Sequence, residues 1–230
     1  PDYPESDLDV LDVDVPECIQ PDENGLADGC AALPEHSLWN CPAGYVPSNS
    51  ALTLGCIPSD DPCPEGEWAT AAGDVLYVQA GANGNGLSAD SPLGSITAAL
   101  DAVTGSTETI LVAKGMYNEQ VINDKGVLIK GACAGETFIS YASNTNYEYG
   151  VELRGFGQPG LEGVTLLGNS LGLAVIDSNF AAVQDVIIRG KRGYGIIVEN
   201  YNDNDVIDEV LLNIEGVLIT RTMAEDGWLA

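Results

Sequence analysis

The stretch GLAVID (residues 172–177) recurs, with changes, along the second half of this 230-residue chain. Each copy is a glycine followed by alternating aliphatic residues, and the leading glycines are spaced 24, 22, 23 and 21 residues apart. The five copies are GVLIKG (126–131), GVELRG (150–155), GLAVID (172–177), GIIVEN (195–200) and GVLITR (216–221). Alternation indicates strands, and strands that recur at a fixed period are typical of a stacked solenoid.

A second set of strand-like segments lies between these copies: VTLLGN (164–169), VIIRGK (186–191) and VLLNIE (210–215). Equivalent positions on successive coils would stack about 4.8 Å apart. The first register then predicts inward columns of Val127, Val151, Leu173, Ile196 and Val217, and of Ile129, Leu153, Val175, Val198 and Ile219. The second register predicts columns of Val164, Val186 and Val210, and of Leu166, Ile188 and Leu212.

The segment before these repeats has the pattern of a cap. VLYVQA (75–80) and TILVAKG (109–115) are strand-like, and between them Ile96, Ala99, Leu100 and Val103 follow helical spacing. Ser95 suits the N-cap and Gly105 the C′ position, so a capping helix is expected over 95–104. The fold class we predict is all-β: a right-handed parallel β-helix over 75–230, preceded by a small disulfide-rich module.

This opening resembles that of a known group. YVQAGANGNGLSADSPLGSITAALDAV (77–103), TILVAKGMYNEQV (109–121) and GVLIKGA (126–132) are similar to the start of pectate-lyase-like right-handed β-helix proteins, including the carbohydrate-binding and sugar-hydrolase repeat group. The resemblance covers about residues 75–220. It implies the fold alone, because these proteins include lyases, hydrolases, esterases, adhesins and inert scaffolds.

Residues 1–74 differ in composition from the repeats. Residues 1–17 hold seven acids that partly alternate with aliphatic residues such as Leu8, Val10 and Val13. They read as an acidic extended arm or tether, with a strand donated to a neighbour as the alternative. Residues 18–74 hold five cysteines within 46 residues, as expected for a disulfide-stapled module made in an oxidising compartment: Cys18, Cys30, Cys41, Cys56 and Cys63.

Cys133 lies within the repeats, and we expect it to staple them to this module. Cys63 is the nearest partner in sequence, but spacing alone leaves the connectivity open. The acidic Cys-rich leader resembles those that precede surface-exposed or lipid-tethered bacterial proteins. A secreted or bacterial cell-surface location, with a signal peptide already removed, is therefore expected.

The charge distribution argues against two classes of partner. The net charge is −27, and residues 1–113 carry nineteen acids and no base. Such a field repels phosphate backbones and anionic lipid, so no nucleic-acid partner is expected. Membrane insertion is not expected either, because no stretch of 18 apolar residues occurs.

Candidate metal and catalytic residues are few. Calcium could bind two oxygen-rich runs, although ordinary turns or solvated loops explain them as well: Asp22, Asn24 and Asp28, and Asp203, Asp205 and Asp208. No cofactor is required. Asp177, Glu199 and Arg221, near Asn200, are weak catalytic candidates at strand ends, and the alternative is a polar cluster with no catalytic role.

The surface suggests contacts rather than catalysis. Positions expected to face solvent become aliphatic toward the C-terminus, at Ile187, Ile197, Leu211 and Leu218, and Trp228 follows an end with no evident cap. These positions could equally lie beneath a loop or the N-terminal arm. We expect a non-catalytic structural, adhesive or self-assembling protein. Self-association, which could form filaments, would use the open end of the β-helix or the N-terminal arm, and a glycan is a further candidate partner. The alternative is a polysaccharide lyase or hydrolase, or a fragment of one.

Overall fold

Parallel β-strands dominate the part of the chain that the structure describes. The computed structural model describes residues 45–47, 56–58, 63–142, 148–155, 157–168, 171–190, 194–199 and 211–220. All of them belong to one unit, Trp39–Ala230.

One helix and fifteen strands are assigned within these residues. The helix is α1 (Ile96–Ala102). The strands are β1 (Tyr45–Pro47), β2 (Cys56–Pro58), β3 (Asp74–Val78), β4 (Thr107–Val112), β5 (Gly115–Tyr117), β6 (Val121–Asn123), β7 (Leu128–Gly131), β8 (Thr137–Ser140), β9 (Tyr149–Arg154), β10 (Gly160–Leu167), β11 (Leu171–Ile176), β12 (Phe180–Arg189), β13 (Ile196–Glu199), β14 (Leu211–Glu215) and β15 (Leu218–Thr220).

Two parallel sheets share the core. The long sheet runs in the order β14-β12-β10-β7-β4-β3, with β15 beside β12 and with β8 between β5 and β10. The short sheet runs β13-β11-β9-β6. Separately, β1 and β2 form an antiparallel pair in which Val46 lies opposite Ile57.

From β9 to β14 the chain alternates between the sheets. Each strand of the short sheet is followed by one of the long sheet, and each new strand pairs in parallel with the strand two earlier. This is the connectivity expected when successive turns of the chain stack on one another, and it is compatible with a β-helix-like fold.

The strands from β9 to β13 confirm the predicted aliphatic columns. In the short sheet Val151, Leu173 and Ile196 are in register, as are Leu153, Val175 and Val198. In the long sheet Val164 pairs with Val186 and Leu166 with Ile188, and all four are fully buried. Val151, Leu153, Leu173 and Val175 are also fully buried, so the first and third positions of these two repeats do line the core.

The first and last members of the predicted columns were wrong. Ile129 pairs with Ile110 and Leu161 in the long sheet, whereas Asn123 occupies the place beside Leu153 in the short sheet. At the other end, Ile219 pairs with Ile188. Both strands of a coil have the same aliphatic alternation, so a glycine-led segment fits either sheet and spacing alone cannot tell which.

The second register was wrong at its last copy too. Leu212 pairs with Ala181 and Leu211 with Phe180. β14 therefore lies beside the start of β12, whereas the prediction placed Leu212 beside Ile188. The long strand β12 supports two short strands, β14 and β15, that are separated by Gly216.

The capping helix is shorter than expected. Ser95 is the N-cap, as predicted, and its side chain accepts a hydrogen bond from the Ala98 N–H at 3.1 Å. The helix ends at Ala102, before Gly105, because Val103 turns to an extended conformation (ψ 132°) and packs against the core. No helix within the described residues is long and apolar enough to cross a membrane.

Candidate functional site

The end of the sheets formed by β3, β6 and α1, here the N-terminal end, is closed. The free edge of β3 is covered by residues 84–94: Tyr77 N–H donates to the Gly86 carbonyl at 2.8 Å, and Leu93 N–H donates to the Tyr77 carbonyl at 2.8 Å. On the helix, Ile96 and Leu100 are buried against the core. Covering an edge in this way prevents it from pairing with another strand.

Glu119 ties the capping helix to the chain that leads into β6. Its carboxylate accepts hydrogen bonds from Ile96 N–H and Thr97 N–H, both at 2.9 Å, and from Thr97 Oγ1 at 2.6 Å. These are amides at the start of a helix, where the unpaired N–H groups and the helix dipole favour an anion. The side chain therefore fixes the position of the cap on the short sheet.

The opposite end, formed by β13, β14 and β15 and here called the C-terminal end, leaves core positions open. Three residues in its inward columns are about half exposed: Val198 46%, Ile214 48% and Ile219 45%. Their register partners one coil earlier are at most 1% exposed: Val175, Val183 and Ile188. The same kind of side chain is core in one coil and surface in the next.

The candidate catalytic residues Asp177 and Glu199 lie on neighbouring strands. Ile176 pairs with Glu199, and the Asp177 N–H donates to the Glu199 carbonyl at 3.0 Å. The Glu199 carboxylate accepts a hydrogen bond from Tyr149 OH at 3.1 Å. Arg221 and Asn200 lie outside the described residues.

A backbone requirement accounts for an aspartate at position 177. Asp177 has φ 49°, and Gly155, which follows the paired residue Arg154 one coil earlier, has φ 76°. Side chains other than Gly, Asn and Asp are disfavoured in this left-handed region. The position that Asp177 occupies therefore requires a residue that tolerates positive φ, and this requirement alone explains an aspartate there.

A polar cluster that the sequence did not reveal lies on the outer face of the short sheet. Glu152 is only 4% exposed; its carboxylate forms an ion pair with Arg154 and accepts a hydrogen bond from Gln120 Nε2 at 3.3 Å. The spacing could have indicated this ion pair, because residues 152 and 154 are two apart and so lie on the same face of a strand. In register, Glu152 has Ile122 on one side and Ala174 on the other, so it does not form a carboxylate pair there.

A disulfide joins Cys63 to Cys133, 70 residues apart. This pairing connects the Cys-rich segment to the long sheet, and it is the nearest of the partners that the sequence left open. Glu136 lies close to the two sulfurs, but a disulfide is not available as a pair of thiolate metal ligands. Cys56 begins β2, and Cys18, Cys30 and Cys41 lie outside the described residues.

The aliphatic outer positions divide into buried and exposed. Ile187 is fully buried, so it is not part of an exposed contact surface; Thr165, beside it in register, donates its hydroxyl to the Ala134 carbonyl of the loop before β8. Ile197 and Leu218 are half-buried, and Leu211 is 55% exposed at the C-terminal end.

The remaining candidates fall outside the described residues. These are the arm residues and Trp228, and both calcium runs: Leu8, Val10, Val13, Asp22, Asn24, Asp28, Asp203, Asp205 and Asp208. Their roles remain predictions.

No protein-family model, curated protein or solved structure matches this chain. What the chain does must be inferred from its own features, of which the unequal treatment of its two ends is the clearest.

Proposed function

We propose that the chain is a pectate-lyase-like right-handed parallel β-helix that acts outside the cell as a non-catalytic structural or adhesive component. The alternation of strands between two parallel sheets and the stacked aliphatic columns support the β-helix. The observation that carries the function is the C-terminal end, where Val198, Ile214 and Ile219 are 46%, 48% and 45% exposed.

The occupant we propose for that end is a second copy of the chain. Within the described residues β13 and β14 each pair on one side only, and their other edges are where the second copy would add its strands. Adding strands there would bury the open aliphatic columns and complete the backbone hydrogen bonds at the same time.

The closed N-terminal end limits how copies can meet. A filament needs one end of each copy to join the opposite end of the next, and residues 84–94 and α1 block one of the two. Contact between two C-terminal ends is isologous and closes after two copies. The geometry therefore favours a dimer over the filament-forming assembly that the sequence also allowed.

The charge distribution also favours association through the C-terminal end. Residues 1–113 carry nineteen acids and no base, whereas residues 114–230 carry sixteen acids and eight bases, so their net charges are −19 and −8. Like-charge repulsion is weaker in the half that holds the C-terminal end. Salt should strengthen the dimer, because it screens the repulsion that remains.

Sedimentation velocity tests the proposal. We expect the wild-type chain to form dimers that increase with protein concentration and with salt, and the Ile214→Lys variant to remain monomeric. Leu87→Lys is the matched control, because Leu87 is an exposed leucine (71%) in the loop at the closed end. A wild-type chain that stays monomeric at high concentration, with or without calcium, would contradict self-assembly.

A polysaccharide lyase or hydrolase is the weaker alternative. The ion pair between the buried Glu152 and the exposed Arg154, beside Gln120, is the observation in its favour. Against it, Asp177 fits a corner position, and Glu199 already accepts the Tyr149 hydroxyl. Unchanged turnover of polysaccharides after Asp177→Ala and Glu199→Ala would remove these two residues as catalysts.

A further inference from the structure

The first strand of the long sheet, β3, has a free edge that residues 84–94 cover only from Tyr77 onward. There the Tyr77 N–H donates to the Gly86 carbonyl, and the Tyr77 carbonyl accepts from the Leu93 N–H, both at 2.8 Å. Val75 comes two residues earlier on the strand, so its N–H and carbonyl point to the same edge. Within the described residues no hydrogen bond reaches these two groups of Val75 on that edge. The first part of β3 therefore differs from the covered part that follows it.

A groove of about 480 Å³ lies beside this part of β3. It is lined on the strand side by residues 73–77 and, after α1, by Ala102, Thr104, Ser106 and Thr107. The three hydroxyls of that second wall can accept hydrogen bonds from an ammonium group. Five residues of strand are about 16 Å long. The groove therefore suits one short extended segment, whereas residues 84–94 still exclude the sheets of a second copy.

An apolar side chain stands at the rim of the groove. Leu87 lines it and is 71% exposed, more than any other large hydrophobic residue in the described part of the chain. The backbone around Leu87 is fixed: Gly86 is buried, and the Leu87 N–H donates to Asn85 Oδ1 at 3.1 Å. Covering this side chain would remove apolar surface from water, which favours association. A segment that pairs with Val75 would cover Leu87 at the same time.

The charge at the groove is negative. Among the described residues that line it, Asp74 is the one with a charged side chain, and the Glu108 carboxylate lies against Gly73 at the start of the same wall. Within the described residues neither carboxylate has an ion-pair partner. Residues 63–113 carry six acids and no base. A field of this sign attracts a basic segment and repels an acidic one.

The occupant has to match a strand edge, an apolar rim and a carboxylate together. A small amine would satisfy the carboxylate alone and would leave the edge of β3 and Leu87 unused. From these features we propose that the groove binds a basic peptide segment in extended conformation, which adds as a strand beside Val75. Main-chain hydrogen bonds then supply affinity, and the alternation of side chains supplies specificity. A lysine or arginine of the segment pairs with Asp74, and an apolar residue next to it covers Leu87.

Fluorescence anisotropy with the full chain tests this site. The probe is a fluorescein-labelled peptide of alternating lysine and valine. One comparison peptide has glutamate in place of lysine, and the other has N-methyl groups in place of its backbone N–H groups. We expect the lysine peptide to bind, more weakly as salt increases, and both comparison peptides to bind at least about tenfold more weakly. The N-methylated peptide keeps the charge, so it separates strand addition from charge attraction alone.

Two variants locate the binding site. Asp74 is exposed, so Asp74→Asn should fold normally, weaken binding of the lysine peptide about two- to tenfold and reduce its salt dependence. The matched control is Asp90→Asn, which removes an exposed acid of the covering loop that does not line the groove. Val75→Pro removes one N–H from the free edge, a change that edge strands tolerate, and should weaken binding to a similar extent.

Three results would overturn the proposal: no binding of the lysine peptide, equal binding of its N-methylated form, or equal affinities of the Asp74→Asn and Asp90→Asn variants. The Ile214→Lys variant should bind the lysine peptide as the wild-type chain does, because Ile214 lies at the C-terminal end. Sedimentation velocity measures the dimer at that end separately, so failure of either proposal leaves the other intact.

Discussion

A column of residues with positive φ lies along the long sheet. Gly163 (φ 63°), Asp185 (φ 51°) and Gly216 (φ 61°) follow residues that are paired with one another on β10, β12 and β14, so they form one corner column. The column lets one strand continue around a bend without breaking the sheet. Aspartate at such a position answers a backbone need first, which is why polar residues at strand ends are weak evidence of catalysis.

Among the residues that the structure describes, Tyr117 is one whose ionisation should be coupled to folding. It is buried, and its hydroxyl donates to the carbonyls of Val78 and Ala113 at 3.2 and 3.0 Å. Burial raises the pKa of Tyr117 well above its ordinary value. Above about pH 10 the unfolded chain releases this proton while the folded chain retains it, so stability should fall as pH rises.

We expect Tyr117→Phe to remove that part of the alkaline loss. At about pH 8 the variant should be less stable by about 1–2 kcal/mol, because two buried carbonyls lose a donor. Urea unfolding at about pH 8 and about pH 11 measures both effects. Exposed Tyr194→Phe is the control, and an unchanged pH dependence in Tyr117→Phe would show that this hydroxyl is not the source.

At the scale of elements, the cap depends on a contact between distant parts of the chain. The seven-residue helix α1 is too short to be stable alone, so its position rests on burial of its apolar face and on Glu119, 23 residues beyond Ile96. The fold closes its N-terminal end through this one carboxylate and the backbone hydrogen bonds of residues 84–94.

Replacing Glu119 by Ala should destabilise the chain by about 2 kcal/mol, since three donors at the helix start lose a charged acceptor. Asp101→Ala is the matched control: Asp101 is an exposed acid in the last turn of the same helix, where a negative charge is unfavourable, so stability should be unchanged or slightly raised. Chemical unfolding of both variants measures the difference, and equal effects would mean that Glu119 does not stabilise the start of α1.

At the scale of the whole molecule, the disulfide adds a constraint that the strands do not supply. It joins Cys63 to Cys133, in the loop before β8, across 70 residues of sequence. A link over that separation removes much conformational freedom from the unfolded chain.

Exchanging both cysteines for serine, Cys63→Ser with Cys133→Ser, should lower the free energy of unfolding by about 4 kcal/mol in the chain-entropy account. Urea unfolding at neutral pH measures this without reducing other cysteines. A loss below about 1 kcal/mol would mean that the unfolded chain stays compact in this region or that strain in the folded state offsets the gain.

The repeats by themselves determined that the chain forms parallel strands with aliphatic columns in register. Columns such as Val151–Leu173–Ile196 can be read from a period near 22 residues, because alternation decides which side chains face inward. The N-cap at Ser95 was predictable for the same reason, because its hydrogen bond joins residues three apart in sequence. These features depend on residues close together in sequence.

Only the tertiary structure decided which sheet each strand joins and which surfaces are open. Ile129 and Ile219 have the same local pattern as Val175 but lie in the other sheet, because pairing partners are chosen by the path of the whole coil. The buried Glu152 and the exposed Ile214 likewise follow from packing between distant segments. A period in sequence specifies the rise of a coil, whereas burial depends on what the rest of the chain places beside it.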